Sequence, residues 1–324
     1  MHKYYIGIDI GGTTSRVSLG EVVDQNITIL KQSEIYTTLK YTPNQLIEHF
    51  IYDIQSFQKE HTILAVGISC GGPLDSKKGI VLSPPNLPGW DAIEIVDQIR
   101  NAVHVPVRLT NDANACALAE WLYGAGQGFD NMIFLTFGTG MGAGLILDRR
   151  LYEGTTGMAG EVGHMRLESI GPVGYGKMGS FEGFCSGGGI AQLGVTYCLE
   201  YRQQGLYSTL LDVDNVNAKV IAEHAQKGDV LAKRIYREVS HRLGFGLSVL
   251  IDILNPDCIV IGSIYQRNEK MMKEDVWHMI HQEALPKAYE GVEIKGAQLG
   301  DNLGDIAAIS VAAYYKEHEE HEHA

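Results

Sequence analysis

Apolar and polar residues recur with two periods along this chain, and each period predicts one type of secondary structure. The opening segment YYIGIDIGGTTSRVSLGEV predicts a strand, a Gly-Gly-Thr-Thr turn and a second strand. Residues 43–60 carry apolar side chains at helical spacing behind Pro43, which predicts an amphipathic helix. Residues 105–126 predict a strand, a polar switch at Asn111-Asp112 and a helix that ends at Gly124 or Gly126.

A second strand–glycine–strand pattern, NMIFLTFGTGMGAGLILDRRLYEG, resembles the opening one. It indicates an internal duplication, with a second lobe beginning near residue 119. Residues 230–254 predict a helix that Asn255-Pro256 ends, and CIVIGSIY predicts a buried strand ending at Gly262-Ser263. NLGDIAAISVAAYYKEH predicts a closing helix. The final EHEEHEHA, residues 317–324, has no apolar face, so we expect a disordered tail.

Length and composition favour a two-lobed globular protein. At 324 residues the chain is near the size at which one hydrophobic core stops growing. An apolar content of 45% and a mean hydropathy of −0.05 exclude disorder as the main state. The sequence has neither a stretch of about 18 apolar residues nor a charged leader with a cleavage site. We therefore expect a cytoplasmic protein that binds no membrane.

Charge and cysteine content exclude further classes of function. A net charge of −13 without a basic patch disfavours nucleic acid as a partner. The cysteines have no paired short spacing and are expected to be reduced, mostly buried thiols: Cys70, Cys116, Cys185, Cys198 and Cys258. Glycine, at 38 residues, is roughly 12% of the chain against a usual ~7%. Such an excess indicates positions at which the backbone must come so close to another group that a side chain would not fit.

The two Gly/Thr turns are the first candidates for chemistry. In Gly11-Gly12-Thr13-Thr14 and Gly138-Thr139-Gly140-Met141-Gly142, converging backbone N–H groups and threonine hydroxyls suit a polyphosphate. Asp9, just before the first turn, could hold Mg²⁺ through water. The alternative is a pair of tight hairpins that only need positive φ. Neither turn fits a P-loop, and no G-x-G-x-x-G follows the first strand, so dinucleotide binding is not indicated.

Three acidic residues and a histidine are further candidates. Asp112 either caps the helix that begins near Ala113 or accepts a proton from a substrate hydroxyl, and both roles can hold at once. Glu161 and His164 lie in GMAGEVGH, where the flanking glycines disfavour a helix and allow both side chains to enter a cleft. Glu182 is likewise beside glycines. Such a set of acceptors suits sugar hydroxyls, although a lone histidine is more often an ordinary surface or core residue.

These motifs, in this order, resemble the ROK family (repressors, open reading frames and kinases). The matching segments are DIGGTTSRVSLGEV at 9–22, GISCGGPLD at 67–75, NLPGWD at 86–91, LTNDANACALAE at 109–120, FLTFGTGMGAGLI at 134–146, GMAGEVGH at 157–164 and LNPDCIVIGS at 254–263. Together they span nearly the whole chain, and their joint order is specific although each is short.

The resemblance implies an α/β fold of two actin-like (ribonuclease H-like) lobes of the sugar kinase type, with an interlobe cleft. The implied lobes are residues 1–118, joined by the C-terminal helix 305–316, and residues 119–304. Asp112 is implied as the general base, and Gly262 is implied near the adenosine. The implied phosphate loops are Asp9, Gly11, Gly12 and Thr13, and then Thr136, Gly138, Thr139 and Gly140. The implied sugar pocket is lined by Gly72, Asn86, Asn111, Asp112, Glu161, His164 and Glu182.

The chain departs from the family pattern at two places. Many relatives carry a zinc-binding C-x-C-G-x-x-G-C-x-E segment, and here Val173, Tyr175 and Ser180 stand where its three cysteines would be. Cys185 alone cannot rebuild a four-ligand site, so we predict no structural zinc. The second departure is Ser263, where relatives usually carry a further glycine; its larger side chain is expected to narrow the adenine end of the cleft.

The predicted function is phosphorylation of a monosaccharide hydroxyl by ATP and Mg²⁺, at the 6-position of a hexose or an N-acylhexosamine as the resemblance suggests. Two alternatives stay open: a sugar-responsive regulator of the same family, and a non-catalytic sugar-binding protein. A regulator needs a helix-turn-helix ahead of the first lobe, and here strand sequence begins by Ile6. A homodimer is expected by resemblance and from the general frequency of two-fold assemblies.

Overall fold

The structure is a computed structural model that describes residues 2–322, with side chains described through residue 318. The strands are β1 (Lys3–Ile10), β2 (Thr14–Val23), β3 (Asn26–Gln32), β4 (Tyr36–Thr37), β5 (Ile63–Cys70), β6 (Leu74–Asp75), β7 (Ile80–Val81), β8 (Val107–Asn111), β9 (Met132–Phe137), β10 (Met141–Leu147), β11 (Arg150–Leu151), β12 (Val173–Gly174), β13 (Lys177–Met178), β14 (Cys258–Ile261) and β15 (Glu293–Gly296). The α-helices are α1 (Pro43–Gln58), α2 (Ile95–Val103), α3 (Asp112–Tyr123), α4 (Phe181–Phe184), α5 (Gly187–Gln203), α6 (Ala218–Gln226), α7 (Val230–Leu254), α8 (Ile264–Glu283), α9 (Pro286–Tyr289) and α10 (Leu303–Glu322).

The two main sheets have the same strand order. The first is β3-β2-β1-β5-β8, with β4 also paired to β2, and the second is β11-β10-β9-β14-β15. In the first, β1 is antiparallel to β2 and parallel to β5, which is parallel to β8. In the second, β14 is parallel to both β9 and β15. Both predicted strand–turn–strand units are therefore confirmed, and the repeated order agrees with the predicted duplication.

The chain divides into two compact units. One consists of residues 2–129, Gly144–Ala159 and 298–322, and the other of Asp130–Ala143 and Gly160–Ala297. The lobe boundary expected near residue 119 falls inside helix α3, and the first unit continues to Phe129. Helix α10 extends beyond the expected end at residue 316 as far as Glu322, and the Lys3 ammonium group donates a 2.8 Å hydrogen bond to Glu317. The last two residues of the expected tail, 323 and 324, lie outside the described residues.

The predicted helices form for the reasons that the sequence indicates. Helix α1 begins with a capping box between Thr42 and Gln45, with Pro43 at its first position, and it buries Leu46, Ile47, Phe50 and Ile54. Helix α7 ends at Asn255, which adopts a left-handed conformation before Pro256. Within residues 2–322, no helix is both long and apolar enough to cross a membrane.

Helix α10 packs unusually close to the first sheet because glycines line its path. Gly7 of β1 and Gly67 of β5 are ladder partners. A Cβ at Gly67 would lie 2.2 Å from the Ala308 carbonyl oxygen, and one at Gly7 would lie 2.6 Å from the Ile309 nitrogen. No side chain fits at either position without moving the helix. Part of the glycine excess is thus explained by close backbone packing, as the composition predicts.

Replacing Gly67 by Ala should therefore lower the free energy of unfolding by about 3 kcal/mol, because the new methyl group would overlap helix backbone. Gly71→Ala is the matched control, since a Cβ there meets nothing within 4 Å. Urea denaturation of both variants measures the difference. Equal stabilities would contradict the close packing described here.

Candidate active site

Three parallel strands of the first unit end at one edge, and the site residues of that unit collect there. Ile10 pairs with Cys70, and Cys70 pairs with Asn111, so the ends of β1, β5 and β8 are in register. Carboxyl ends of parallel strands are the usual place for ligands in α/β proteins. Asp9, the first Gly/Thr turn, Gly72 and the Asn111-Asp112 switch therefore lie at a common edge.

The first Gly/Thr turn owes its shape to close contacts rather than to positive φ. Neither Gly11 nor Gly12 adopts the left-handed backbone conformation. A Cβ on Gly12 would lie 2.7 Å from the Cβ of Asn86, so the predicted sugar-pocket residue Asn86 borders the turn. Buried Thr38 donates from its hydroxyl to the Gly11 carbonyl (2.8 Å) and from its N–H to the Thr13 carbonyl (3.0 Å). The hairpin alternative based on positive φ is therefore wrong for this turn.

Asn111, and not Asp112, caps helix α3. Its side-chain oxygen accepts a 2.7 Å hydrogen bond from the Asn114 N–H, so the predicted cap at Asp112 is wrong by one residue. Asp112 is the first residue of the helix, and its carboxylate accepts the adjacent Ala113 N–H at 2.8 Å. Loss of solvation among the surrounding protein atoms raises the pKa of Asp112, although its side chain keeps accessible surface. The N-cap hydrogen bond of α3 is thus supplied by Asn111 and not by Asp112.

Asp9 lies in a negatively charged environment. Burial, followed by the charges of Asp305 and Asp112, raises its pKa from 3.8 to about 6, against an opposing effect of Arg16. Among the described residues, no N–H or O–H group hydrogen-bonds to the Asp9 carboxylate. A partly buried carboxylate with no donor and with further carboxylates nearby is a donor set that suits a hard divalent cation.

The second Gly/Thr turn lies in the other unit, between β9 and β10. The Thr136 hydroxyl accepts the Gly142 N–H at 2.8 Å, and the Gly187 N–H donates to the Gly138 carbonyl at 2.8 Å. The Glu182 carboxylate accepts the Met141 N–H at 3.0 Å. A Cβ on Gly140 would lie 2.9 Å from the same carboxylate. Glu182, predicted for the sugar pocket, therefore contacts the predicted phosphate turn directly. Thr139 at the tip is exposed.

Glu161 comes directly before a single turn of 3-10 helix, Val162–His164, and His164 ends it; both side chains are exposed. The segment lies directly on β10: a Cβ on Gly163 would be 2.2 Å from the Met141 carbonyl oxygen and 3.3 Å from the Glu182 side chain. Glycine at 163 thus brings the predicted sugar-binding segment against the second Gly/Thr turn. The structure places Glu161, His164 and Glu182 in one neighbourhood of the second unit.

The segment that carries zinc ligands in many relatives is held by hydrogen bonds here. Val173 exchanges two 2.9 Å backbone hydrogen bonds with the Gln192 side-chain amide, and the Ser180 hydroxyl caps α4 by accepting the Gly183 N–H. The Tyr175 ring packs edge-on against His164, with ring centroids 5.3 Å apart. Among the described residues, no group of three or more His, Cys, Asp or Glu is arranged to hold a metal ion. The absence of zinc stays a prediction.

Gly262 and Ser263 lie beside the second Gly/Thr turn. The Gly262 N–H donates to the Leu135 carbonyl at 2.9 Å, and a Cβ on Gly138 would be 3.6 Å from the Ser263 hydroxyl oxygen. Ser263 has φ 52° and ψ −105°, a conformation that favours glycine, and its hydroxyl does not cap α8. The departure from glycine at position 263 thus places a strained serine next to Gly262, which is predicted to lie near the adenosine.

Sequence reasoning missed three residues that shape the first unit's site: Thr38, Arg16 and Asp305. Thr38 comes directly after a two-residue strand and carries no motif signal. Arg16 and Asp305 are 289 positions apart, and their ion pair depends entirely on tertiary structure. The only available signals were an arginine and an aspartate among otherwise small and apolar residues.

Comparison with known proteins identifies the family. Residues 5–314 match the sequence model of the ROK family. The chain belongs to the ROK family. A glucokinase of Halalkalibacterium halodurans is 30% identical over 319 residues, which cover 94% of this chain and 93% of the relative. A xylose repressor of Caldicellulosiruptor bescii is 28% identical over 312 residues, covering 94% of this chain and 77% of the repressor.

Solved structures agree with the family. A ROK family glucokinase from Streptomyces griseus, solved in complex with glucose and AMPPNP, superposes with a TM-score of 0.74 at 28% identity, covering 96% of this chain and 99% of that one. The α/β fold of this ROK protein, with two actin-like lobes, is thereby confirmed.

The raised pKa of Asp9 predicts a pH-dependent effect on the stability of this ROK protein. Because the carboxyl loses its proton less readily when folded, ionisation of Asp9 opposes folding progressively as pH rises from about 4 to about 6. Asp9→Asn should therefore raise the free energy of unfolding of the ligand-free protein by about 1–3 kcal/mol at pH 7.5, and by less at pH 5. Denaturation at the two pH values, with exposed Asp24→Asn as control, measures this. A destabilised Asn variant at pH 7.5 would contradict it.

The strain at Ser263 predicts that Ser263→Gly raises the free energy of unfolding by about 1 kcal/mol, since glycine adopts the observed φ and ψ freely. Ser263→Ala keeps a Cβ and should remain at wild-type stability. Thermal denaturation distinguishes the two variants, and a Gly variant less stable than the Ala variant would refute the strain.

Proposed function

We propose that this protein transfers the γ-phosphoryl group of ATP to a monosaccharide hydroxyl, the 6-hydroxyl of a hexose or an N-acylhexosamine. The observation that carries the proposal is a pair of carboxylates at one sheet edge, those of Asp9 and Asp112. Both have raised pKa values, and neither is the N-cap of a helix. Glucokinases among the relatives, one of them solved with glucose and AMPPNP, support the same chemistry.

In this proposal Asp112 is the general base. Its carboxylate accepts the Ala113 N–H and keeps accessible surface, so it can still accept a hydrogen bond from the sugar hydroxyl. A pKa above the ordinary aspartate value makes the Asp112 carboxylate a stronger proton acceptor. Asp112 would orient the hydroxyl and take its proton as the oxygen attacks phosphorus.

Asp9 would hold Mg²⁺ through water, as the donor-free carboxylate suits a hard cation. When bound, Mg²⁺ neutralises charge on the transferring phosphoryl group. The first turn, Gly11 to Thr13, would supply backbone N–H groups to the phosphates, and Thr38 maintains its shape.

The second unit would supply the remaining contacts. Thr136, Gly138, Thr139 and Gly140 form the second phosphate turn, and Gly262 would lie near the adenosine. Glu161, His164 and Glu182 would bind sugar hydroxyls, and the same role is proposed for Gly72, Asn86 and Asn111. Because Glu182 binds the Met141 N–H, it would also link sugar recognition to the phosphate turn.

The proposed reaction needs a supply of ATP, and free thiols fit a reducing compartment, so we infer the cytoplasm. Each of the five cysteines is free, and four of them are buried. Burial raises the pKa of Cys70 to about 12, with further contributions from Asp112 and Asp9, so this thiol is unreactive at neutral pH. A homodimer without nucleic acid as a partner remains part of the proposal.

A sugar-responsive regulator is the second candidate, because a xylose repressor is 28% identical across 94% of this chain. Release of ADP upon addition of a sugar distinguishes the two. A regulator or a non-catalytic sugar-binding protein would gain thermal stability with sugar and release no ADP.

Asp112→Asn tests the proposed base directly. We expect kcat to fall about 100-fold or more, because the amide cannot accept the hydroxyl proton, while the sugar dissociation constant changes little. The fold should persist, since Asn111 provides the helix cap. Coupled ADP release and calorimetric sugar titration give the two numbers, with Asp24→Asn as an exposed control. Unchanged kcat in the Asp112 variant would refute the assignment.

A further inference from the structure

Asp305 is a buried carboxylate for which the proposed reaction has no use. It lies directly after Gly304 near the start of helix α10, and its side chain is only 3% exposed. It accepts hydrogen bonds from both Nε (3.1 Å) and Nη2 of Arg16, from the Ser18 hydroxyl (2.5 Å) and from the Gln32 amide (3.0 Å). Such a two-pronged arginine–carboxylate pair is strong and fixes both partners in one geometry.

Arg16 is placed so that it could pair with Asp9 instead. The two residues are direct antiparallel partners in the β1–β2 ladder, which places their side chains on the same face with Cβ atoms about 5 Å apart. A Cβ on Gly304 would lie 2.6 Å from the Asp9 carboxylate, so the start of α10 brings Asp305 to the same place. Nevertheless, among the described residues the ion pair that Arg16 forms is with Asp305.

We propose that Asp305 is a positioning residue that holds the Arg16 guanidinium away from Asp9 and so keeps the Asp9 carboxylate available to Mg²⁺. The inference rests on the proposed function. Three carboxylates, those of Asp9, Asp112 and Asp305, share one guanidinium in this region, and the excess negative charge favours a divalent cation. Without the Asp305 charge, Arg16 becomes free to pair with the carboxylate opposite it and competes with Mg²⁺ there.

The competing explanation is that the hydrogen bonds of Asp305 with Arg16, Ser18 and Gln32 only stabilise the packing of α10 on strands β2 and β3. The two explanations predict different results for a variant that lacks Arg16 as well as Asp305. If Arg16 competes with Mg²⁺, removal of its charge restores the metal response that loss of Asp305 weakened. If these hydrogen bonds only stabilise packing, the additional loss of Arg16 cannot restore the Mg²⁺ response.

The test measures the Mg²⁺ concentration that gives half of the thermal stabilisation by AMPPNP, a readout that needs no turnover, in wild type, Asp305→Asn, and Arg16→Gln/Asp305→Asn. We expect the midpoint to rise at least about fivefold in Asp305→Asn and to return to within about twofold of wild type in the double variant. Ser18→Ala removes one hydrogen bond to Asp305 without changing charge and should leave the midpoint unchanged.

An unchanged midpoint in Asp305→Asn, or a double variant as weak as the single one, would overturn the inference. If Asp305→Asn fails to fold, the double variant decides alone, and a weakened Mg²⁺ response in it counts against the inference. A wild-type protein with no Mg²⁺-dependent AMPPNP stabilisation would instead overturn the proposed function, and the inference with it, so the two failures are distinguishable.

Discussion

The close packing of helix α10 on the glycine-lined face of the first sheet determines the environment of the candidate site. Gly7 and Gly67 allow helix backbone to approach strand backbone at distances that no side chain permits. The same approach brings Gly304 against the Asp9 carboxylate and Asp305 against Arg16. The charge of Asp305 in the last helix thereby raises the pKa of Asp9 in the first strand. Close packing thus determines the electrostatic environment of Asp9.

The two carboxylates at this edge lower the stability of the folded protein when they are ionised. Asp9 and Asp112 both have raised pKa values, which means that each ionised carboxylate opposes folding at neutral pH. Local structure is satisfied by neighbouring residues: Asn111 caps the helix and Thr38 binds the first turn. This division of roles leaves the two aspartates free to bind ligands.

Local signals in the sequence were sufficient to predict the main secondary-structure elements and to single out the residues of the candidate site. Periodicity, Pro43 and Asn255-Pro256 predicted helices α1 and α7, and the two Gly/Thr turns predicted both hairpins. The sequence could not separate Asn111 from Asp112 as the cap, because asparagine and aspartate are about equally favoured at the N-cap position. It also could not reveal the Arg16–Asp305 pair or the backbone conformation of Ser263, since both depend on residues distant in the chain.

The central claim is that the carboxylates of the first unit support phosphoryl transfer from ATP to a sugar hydroxyl. Phosphorus NMR of wild-type protein incubated with ATP, Mg²⁺ and single hexoses or N-acylhexosamines tests it most directly. We expect, with at least one sugar, a phosphomonoester resonance coupled to the two protons of a hydroxymethyl carbon and growing in step with ADP. ATP left intact with every sugar, or inorganic phosphate as the only product, would contradict the claim.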